Sequence, residues 1–541
     1  MTVLNTGVTN SARRVCAALL VSVVGSAQVA AEEITEERIA TAIQELDREA
    51  PDLLSRSGVP GMAIAVVSGD RVLYQRGFGV RALGGGEPVD TETVFQLASV
   101  SKPLAATVVA GLVGDGLIAW ETPVFRFLPS FVLSDPWVTR SVTLADLLSH
   151  RSGLPDHAGD LLEDLGFGRE EILARLRCAP LSPFRITNAY TNFGFTAAAL
   201  AGASAAGMEW ADVADRRLFA PLGMDRSSFR YADYLARTNR TLAHAYVDGV
   251  YQPLYERDAD AQAPAGGASA SVSDLAKWAQ LVLDEGRYAG EPVIQSEALL
   301  QTQLPQSISD PAPTADGRSG FYGLGWNVGY DDSGRTKLSH SGAFMLGVAT
   351  SVTLYPGLDL GILVLTNGAP YGLAEATSQI FFDLVLEGEV RNDWLSLYFE
   401  RFSELWAHEG DFMRDYRSPP ASPEPPLAQS AYVGIYESPY YGPLTVASGA
   451  AGLQITLGPQ AMTFPLAHWD GDLFVFETTG ENALGLSGAE FVVGPSGSAD
   501  SLILERYNQA GLGTFTRISE LPPCPSWCAC VGSDRVSWGC R

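Results

Sequence analysis

Lysine is nearly missing from this chain: it occurs only at Lys102, Lys277 and Lys337, while the other basic residues are all arginine. Positive charge is scarce altogether, with 36 basic against 62 acidic residues and a formal net charge of −26. Such a surface repels phosphate backbones, so nucleic-acid binding is excluded as a function class. Cysteine is also thin. Apart from Cys16 near the start, Cys178 stands alone in the body and Cys524, Cys528, Cys530 and Cys540 cluster in the tail. Their C-x3-C-x-C-x9-C spacing is not a usual zinc-ligand pattern. Beyond the N-terminus no apolar run is long enough to span a bilayer, because Pro356 and Asp359 interrupt the best candidate. Three signatures of other catalytic classes are missing as well: the G-x-S-x-G elbow, H-E-x-x-H and the phosphate-binding G-x-x-x-x-G-K-[ST].

What is present describes an exported globular protein of several units. Hydrophobic residues make up 46% and charged residues 18% of 541, a globular composition at a length that suits two or three domains. Arg13 and Arg14 precede an apolar run from Val15 to Val24, followed by the small residues Gly25-Ser26-Ala27 and Val29-Ala30-Ala31 and then Glu32-Glu33. That order is a secretory signal over residues 1–31, and it predicts a secreted or periplasmic protein with no stable membrane insertion after cleavage. Losing it removes two arginines and no acid.

Periodicity predicts an antiparallel sheet built from both ends of a long first unit. Ile34, Ile39, Ile43, Leu46 and Leu53 recur at helical spacing. Met62–Val67 and Val72–Phe78 flank Ser68-Gly69-Asp70 as a hairpin. Residues 99 to 300 read mainly as helices, and strands return at Gly347–Leu354 and Leu360–Leu365, followed by a helix from Leu373 to Glu387. The fold class is therefore α+β, an antiparallel sheet flanked by helices with a helical insertion, over residues 32–410. Five prolines between Pro419 and Pro426 mark a stiff linker, 411–428. Short alternating runs separated by glycine turns predict a small all-β domain over 429–518, leaving 519–541 as an unstructured cysteine-rich tail, or one holding two disulfides.

Three short patterns carry chemistry. Ser99-Val-Ser-Lys102 places an amine and a hydroxyl three residues apart, on one face of a helix. A serine hydroxyl is a poor nucleophile until a base takes its proton, and a desolvated lysine of lowered pKa can do so. Tyr190-Thr-Asn192 holds a phenol and an amide two residues apart, suited to shuttling a proton and orienting a carbonyl. His340-Ser341-Gly342-Ala343 sits between strand-like runs, where an edge strand would offer backbone N–H groups to a substrate. The same H-x-G pattern at His157 falls in a polar loop and at His408 ends a helix.

In this order, S-x-x-K, Y-x-N and H-x-G resemble the active site of the penicillin-recognising serine hydrolases, in the branch of class C β-lactamases, D-Ala-D-Ala carboxypeptidases, D-aminopeptidases and β-lactamase-like esterases. Leu147-Leu-Ser-His-Arg-Ser-Gly153, Pro221-Leu-Gly223-Met224 and Tyr322-Gly-Leu-Gly-Trp326 are similar to that family too. The resemblance covers about residues 35–390 and implies the β-lactamase/transpeptidase-like fold. Residues 429–518 resemble the lipocalin-like domain sometimes appended to it. The family implies Ser99 as nucleophile, Lys102 and Tyr190 sharing the base role, Asn192 orienting the substrate, and His340, Ser341, Gly342 and Ala343 binding it. The N–H groups of Ser99 and Ala343 would form the oxyanion hole. His340 stands where class C β-lactamases carry lysine, which favours a peptidase of D-Ala-D-Ala carboxypeptidase or D-aminopeptidase type. A β-lactamase, a carboxylesterase or a non-turning-over binding protein are the alternatives. The expected partner is a small-molecule or peptide substrate such as peptidoglycan or a β-lactam, with no metal and no cofactor.

Overall fold

The computed structural model describes residues 34–408, 414–450 and 452–519. The leader-like segment and the tail cysteines lie outside the described residues. Helix α1 (Glu36–Ser57) begins where Thr35 accepts the Arg38 N–H and ends at Gly58, whose φ of +71° suits a left-handed cap. Strands β1 (Gly61–Ser68) and β2 (Arg71–Gly79) form the hairpin that the Ser-Gly-Asp turn predicts. Helices α2 (Ser101–Gly114), α3 (Asn192–Ala206) and α4 (Val272–Leu283) lie in the insertion. The chain then returns to the sheet as β3 (Ser307–Asp310), β4 (Gly320–Tyr322), β5 (Asn327–Tyr330), β6 (Thr336–Phe344), β7 (Val348–Tyr355) and β8 (Leu360–Thr366), before α5 (Leu373–Leu386) and α6 (Trp394–His408).

The eight strands run β2-β1-β8-β7-β6-β5-β4-β3, antiparallel throughout. The first and last parts of the unit thus meet at β1–β8, as the two-ended pattern predicts. Side chains alternate across the sheet. Ile64, Val66, Ile362 and Val364 pack with α1 and α5 through Leu46, Leu53 and Phe381, whereas Ala63, Ala65, Leu363 and Leu365 pack with α2 and α4 through Val108 and Trp278. Burial on both faces explains why β8 reads as a nearly unbroken apolar run, and why β7 is buried at every position although it carries Thr350, Ser351 and Thr353.

Beyond the proline segment, nine strands from Gly434–Ser438 to Thr514–Ile518 form a meander. Its first strand pairs with its last, giving a barrel-like all-β domain whose open seam lies between Met462–Pro465 and Ala467–Asp470. This domain docks on the first unit. Arg175, ion-paired with Glu171 in the insertion, donates to the Tyr440 carbonyl at 2.7 Å.

Candidate active site

The S-x-x-K segment enters from a short strand, Val94–Gln96, paired with Ser269–Ser271. Ala98 then adopts φ +47°, an unusual conformation for a residue with a Cβ, and the chain turns through Ala98–Val100 into α2. Every residue from Thr93 to Leu112 is buried except Ser99. The turn therefore lifts one hydroxyl out of an otherwise closed segment, at the N-terminal end of a helix where the backbone dipole favours negative charge.

Lys102 lies beneath it, 0% exposed. Its Nζ is 3.1 Å from Ser99 Oγ, 2.7 Å from Asn192 Oδ1 and 3.0 Å from the Ala265 carbonyl. Three acceptors match the three protons of an ammonium, but among the described residues no carboxylate touches it. Desolvation consequently lowers the Lys102 pKa to about 7, with Asp160 opposing from a distance. Tyr190 donates its O–H to Ser99 Oγ at 2.8 Å, and its ring centroid lies 4.4 Å from Lys102 Nζ. Burial raises the phenol well above its ordinary value, so it stays neutral. Ser99, Lys102, Tyr190 and Asn192 thus converge on one point.

The third pattern arrives along β6. Its pairing with β5 stops at Ser339, so this inner strand becomes an edge from His340 onward. Gly342 passes directly over the serine turn: a Cβ there would stand 2.1 Å from the Leu97 carbonyl, 2.3 Å from Thr350 Oγ1 and 3.1 Å from the Ser99 nitrogen. Only glycine permits that approach of β6 to the Leu97–Ser99 backbone, one residue before Ala343.

His340 behaves differently from a substrate cation. It is buried, its Nε2 lies 2.8 Å from Tyr322 Oη and its Nδ1 lies 2.7 Å from the Ser341 carbonyl. Burial, with the nearby Lys102 charge, pulls its pKa down to about 3. The ring is neutral and both nitrogens are engaged. Ser341 turns its side chain to the other face of β6, where its hydroxyl opposes the burial-driven rise of the Glu375 carboxyl.

Two neighbours lie outside the three motifs: Asp160, which sequence did not single out, and His150, which belongs to the family-like stretch Leu147–Gly153. Asp160 accepts from Asn192 Nδ2 at 2.9 Å and lies 2.8 Å from His157 Nδ1. The His157 loop, which reads as a polar loop in sequence, therefore adjoins the site. His150, at φ +57°, accepts the Thr191 N–H and packs 4.5 Å from the Tyr190 ring. Its pKa is pushed down by burial, so it supports the tyrosine as a neutral ring.

The family model described as Beta-lactamase matches residues 39–380, more than half of the chain. The chain belongs to the Beta-lactamase family. A second model, Domain of unknown function (DUF3471), matches residues 418–514. Among curated relatives, Unguisins hydrolase ungD of Aspergillus violaceofuscus is 27% identical over 493 residues, covering 84% of this chain and 86% of that protein. Penicillin-binding protein 4 of Amycolatopsis lactamdurans is 30% identical over 391 residues, covering 70% of this chain and 93% of that one. The octameric penicillin-binding protein homologue from Pyrococcus abyssi shares the fold, with a TM-score of 0.56 at 20% identity over 85% of this chain and 98% of the other. This Beta-lactamase family member is a serine hydrolase of β-lactamase/transpeptidase-like fold. Among the described residues no helix is long and apolar enough to cross a membrane.

Proposed function

We propose that the enzyme transfers acyl groups through Ser99, with Lys102 as first base and Tyr190 as proton shuttle. The observation that carries this is the pair of hydrogen bonds converging on one half-buried Oγ, from an amine of pKa about 7 and from a phenol that stays protonated. In its neutral form Lys102 keeps two protons for Asn192 and Ala265 and offers its lone pair to the Ser99 hydroxyl. Ser99 Oγ then attacks the substrate carbonyl carbon as its proton passes to Lys102 Nζ. The carbonyl oxygen takes up negative charge facing the Ser99 and Ala343 N–H groups. Tyr190 delivers a proton to the leaving nitrogen or oxygen and is reprotonated from Lys102, leaving a Ser99 ester. Water attacks that ester with the roles reversed, releasing the acid and restoring Ser99.

The substrate class that fits best is an amide in a peptide, of the kind hydrolysed by penicillin-recognising peptidases. Neutral, fully engaged His340 gives a free substrate carboxylate no cation at the third motif. That favours the aminopeptidase type over the carboxypeptidase type, and it keeps a carboxylesterase as the second reading. The leader-like N-terminus supports action outside the cytoplasm. Intact-mass spectrometry of the purified enzyme with a penicillin, and separately with an activated acyl ester, tests the assignment. A transient adduct on Ser99, absent from Ser99→Ala, is expected; turnover by Ser99→Ala at the wild-type rate would sink it.

A further inference from the structure

Loop 478–485 of the barrel domain reaches across to the catalytic unit. Its Glu481 carboxylate accepts the Met345 N–H at 2.5 Å and the Leu346 N–H at 3.4 Å. These residues begin the turn between β6 and β7, two positions beyond Ala343. The same carboxylate lies 3.9 Å from Arg257 Nε and is only 12% exposed. Arg257 stacks 5.2 Å over the Phe344 ring and pairs with Glu163 at 2.6 Å, so it ties the end of β6 to the insertion.

The loop is itself held in place. Asp164 accepts the Glu481 N–H at 3.0 Å, the Asn482 N–H at 3.0 Å and Asn482 Nδ2 at 2.9 Å. Arg506 donates to the Asn482 carbonyl at 2.6 Å. Gly480, at φ +99°, lies so close to Asp164 that a Cβ would stand 2.5 Å from its carboxyl carbon. Docking two surfaces needs no carboxylate buried against backbone N–H groups, and burial disfavours its charge, pushing the Glu481 carboxyl up to about 8. The contact is directed at one turn, which begins two residues after Ala343.

We propose that the barrel domain completes the acyl-transfer site, with Glu481 as a positioning residue that holds the Met345–Leu346 turn and, through it, the Ala343 N–H against the developing oxyanion. This rests on the reading that Ser99 attacks facing Ala343. The domain is then a working part of the catalytic centre, acting across the interface by two backbone hydrogen bonds.

Stopped-flow acylation of the full chain by an activated acyl ester separates the maximal acylation rate from apparent substrate affinity. Glu481→Ala is expected to lower the maximal rate by about 10- to 100-fold, the scale of a small displacement in a catalytic geometry, with affinity nearly unchanged. Glu481→Gln keeps an oxygen for the Met345 N–H and is expected to recover most of that rate. Gly480→Ala, which retains the carboxylate but displaces its loop from Asp164, is expected to show the same loss as Glu481→Ala. Melting temperatures of all three are read alongside. A Glu481→Ala enzyme that acylates at the wild-type rate would overturn the proposal, as would a loss confined to affinity. If Glu481→Ala fails to fold, a wild-type rate in Gly480→Ala overturns it instead. The absence of any Ser99 adduct in the wild type would strike the Ser99 reading itself, a separate result.

Discussion

Two cations are buried near the site, and their fates differ. Lys102 and Arg257 both lose water, but Lys102 meets a hydroxyl, an amide oxygen and a carbonyl, whereas Arg257 meets Glu163, with Glu481 and Asp164 close by. Desolvation without a touching carboxylate brings Lys102 down to about 7, into the range of a general base. The acids around Arg257 outweigh its desolvation and raise its pKa further, so it remains a fixed charge. Residue type contributes too, because a guanidinium cannot release its proton at any useful pH. Burial alone decides neither outcome; the neighbours do.

Making the first cation like the second has the largest expected effect. Lys102→Arg keeps the charge but removes the base, and turnover should fall by about 10²- to 10⁴-fold at every pH in a steady-state assay. Removing the second cation attacks structure instead. Arg257→Met strands Glu163 and Glu481 beside each other, and chemical denaturation should show a loss of about 3–5 kcal/mol. Tyr190→Phe separates environment from chemistry: the ring still faces Lys102, so the acid limb of the rate profile should stay near pH 7 while the rate falls about 10- to 100-fold. Asp160→Asn gives the smallest effect. It removes the attraction of the Asp160 carboxylate that raises Lys102, so the acid limb should move to lower pH by less than about one unit in a kcat/KM titration.

The pH sense of these expectations follows from Lys102. Its proton must leave before it can act as base, so activity rises with pH through about 7. The unfolded chain holds that proton more tightly than the folded one. Lys102 therefore destabilises the fold below its folded pKa, and this cost fades as pH climbs from about 7 toward the ordinary 10.5.

Much of this was readable along the chain because it is local or periodic. The hairpin over β1 and β2, the strands β7 and β8, helix α5 and the Ser99–Lys102 spacing all follow from neighbours a few residues apart. The change of β6 from inner to edge strand at Ser339 did not, since it depends on where β5 stops. The spacing of the third motif offers His340 as a substrate contact but does not reveal that Tyr322 and the Ser341 carbonyl engage its two ring nitrogens. Asp160 and Glu481 carried no signal at all: their partners lie 32 and 136 residues away, and one acid among 62 has no pattern of its own.

The scarcity of lysine makes the central claim directly measurable. With lysine labelled at Cε and Nζ, only three side chains report in a heteronuclear NMR titration. The account predicts one resonance titrating near pH 7 and missing from the Lys102→Arg spectrum, in step with the acid limb of Ser99 acylation. A Lys102 resonance that titrates near 10, with acylation still rising through pH 7, would contradict it.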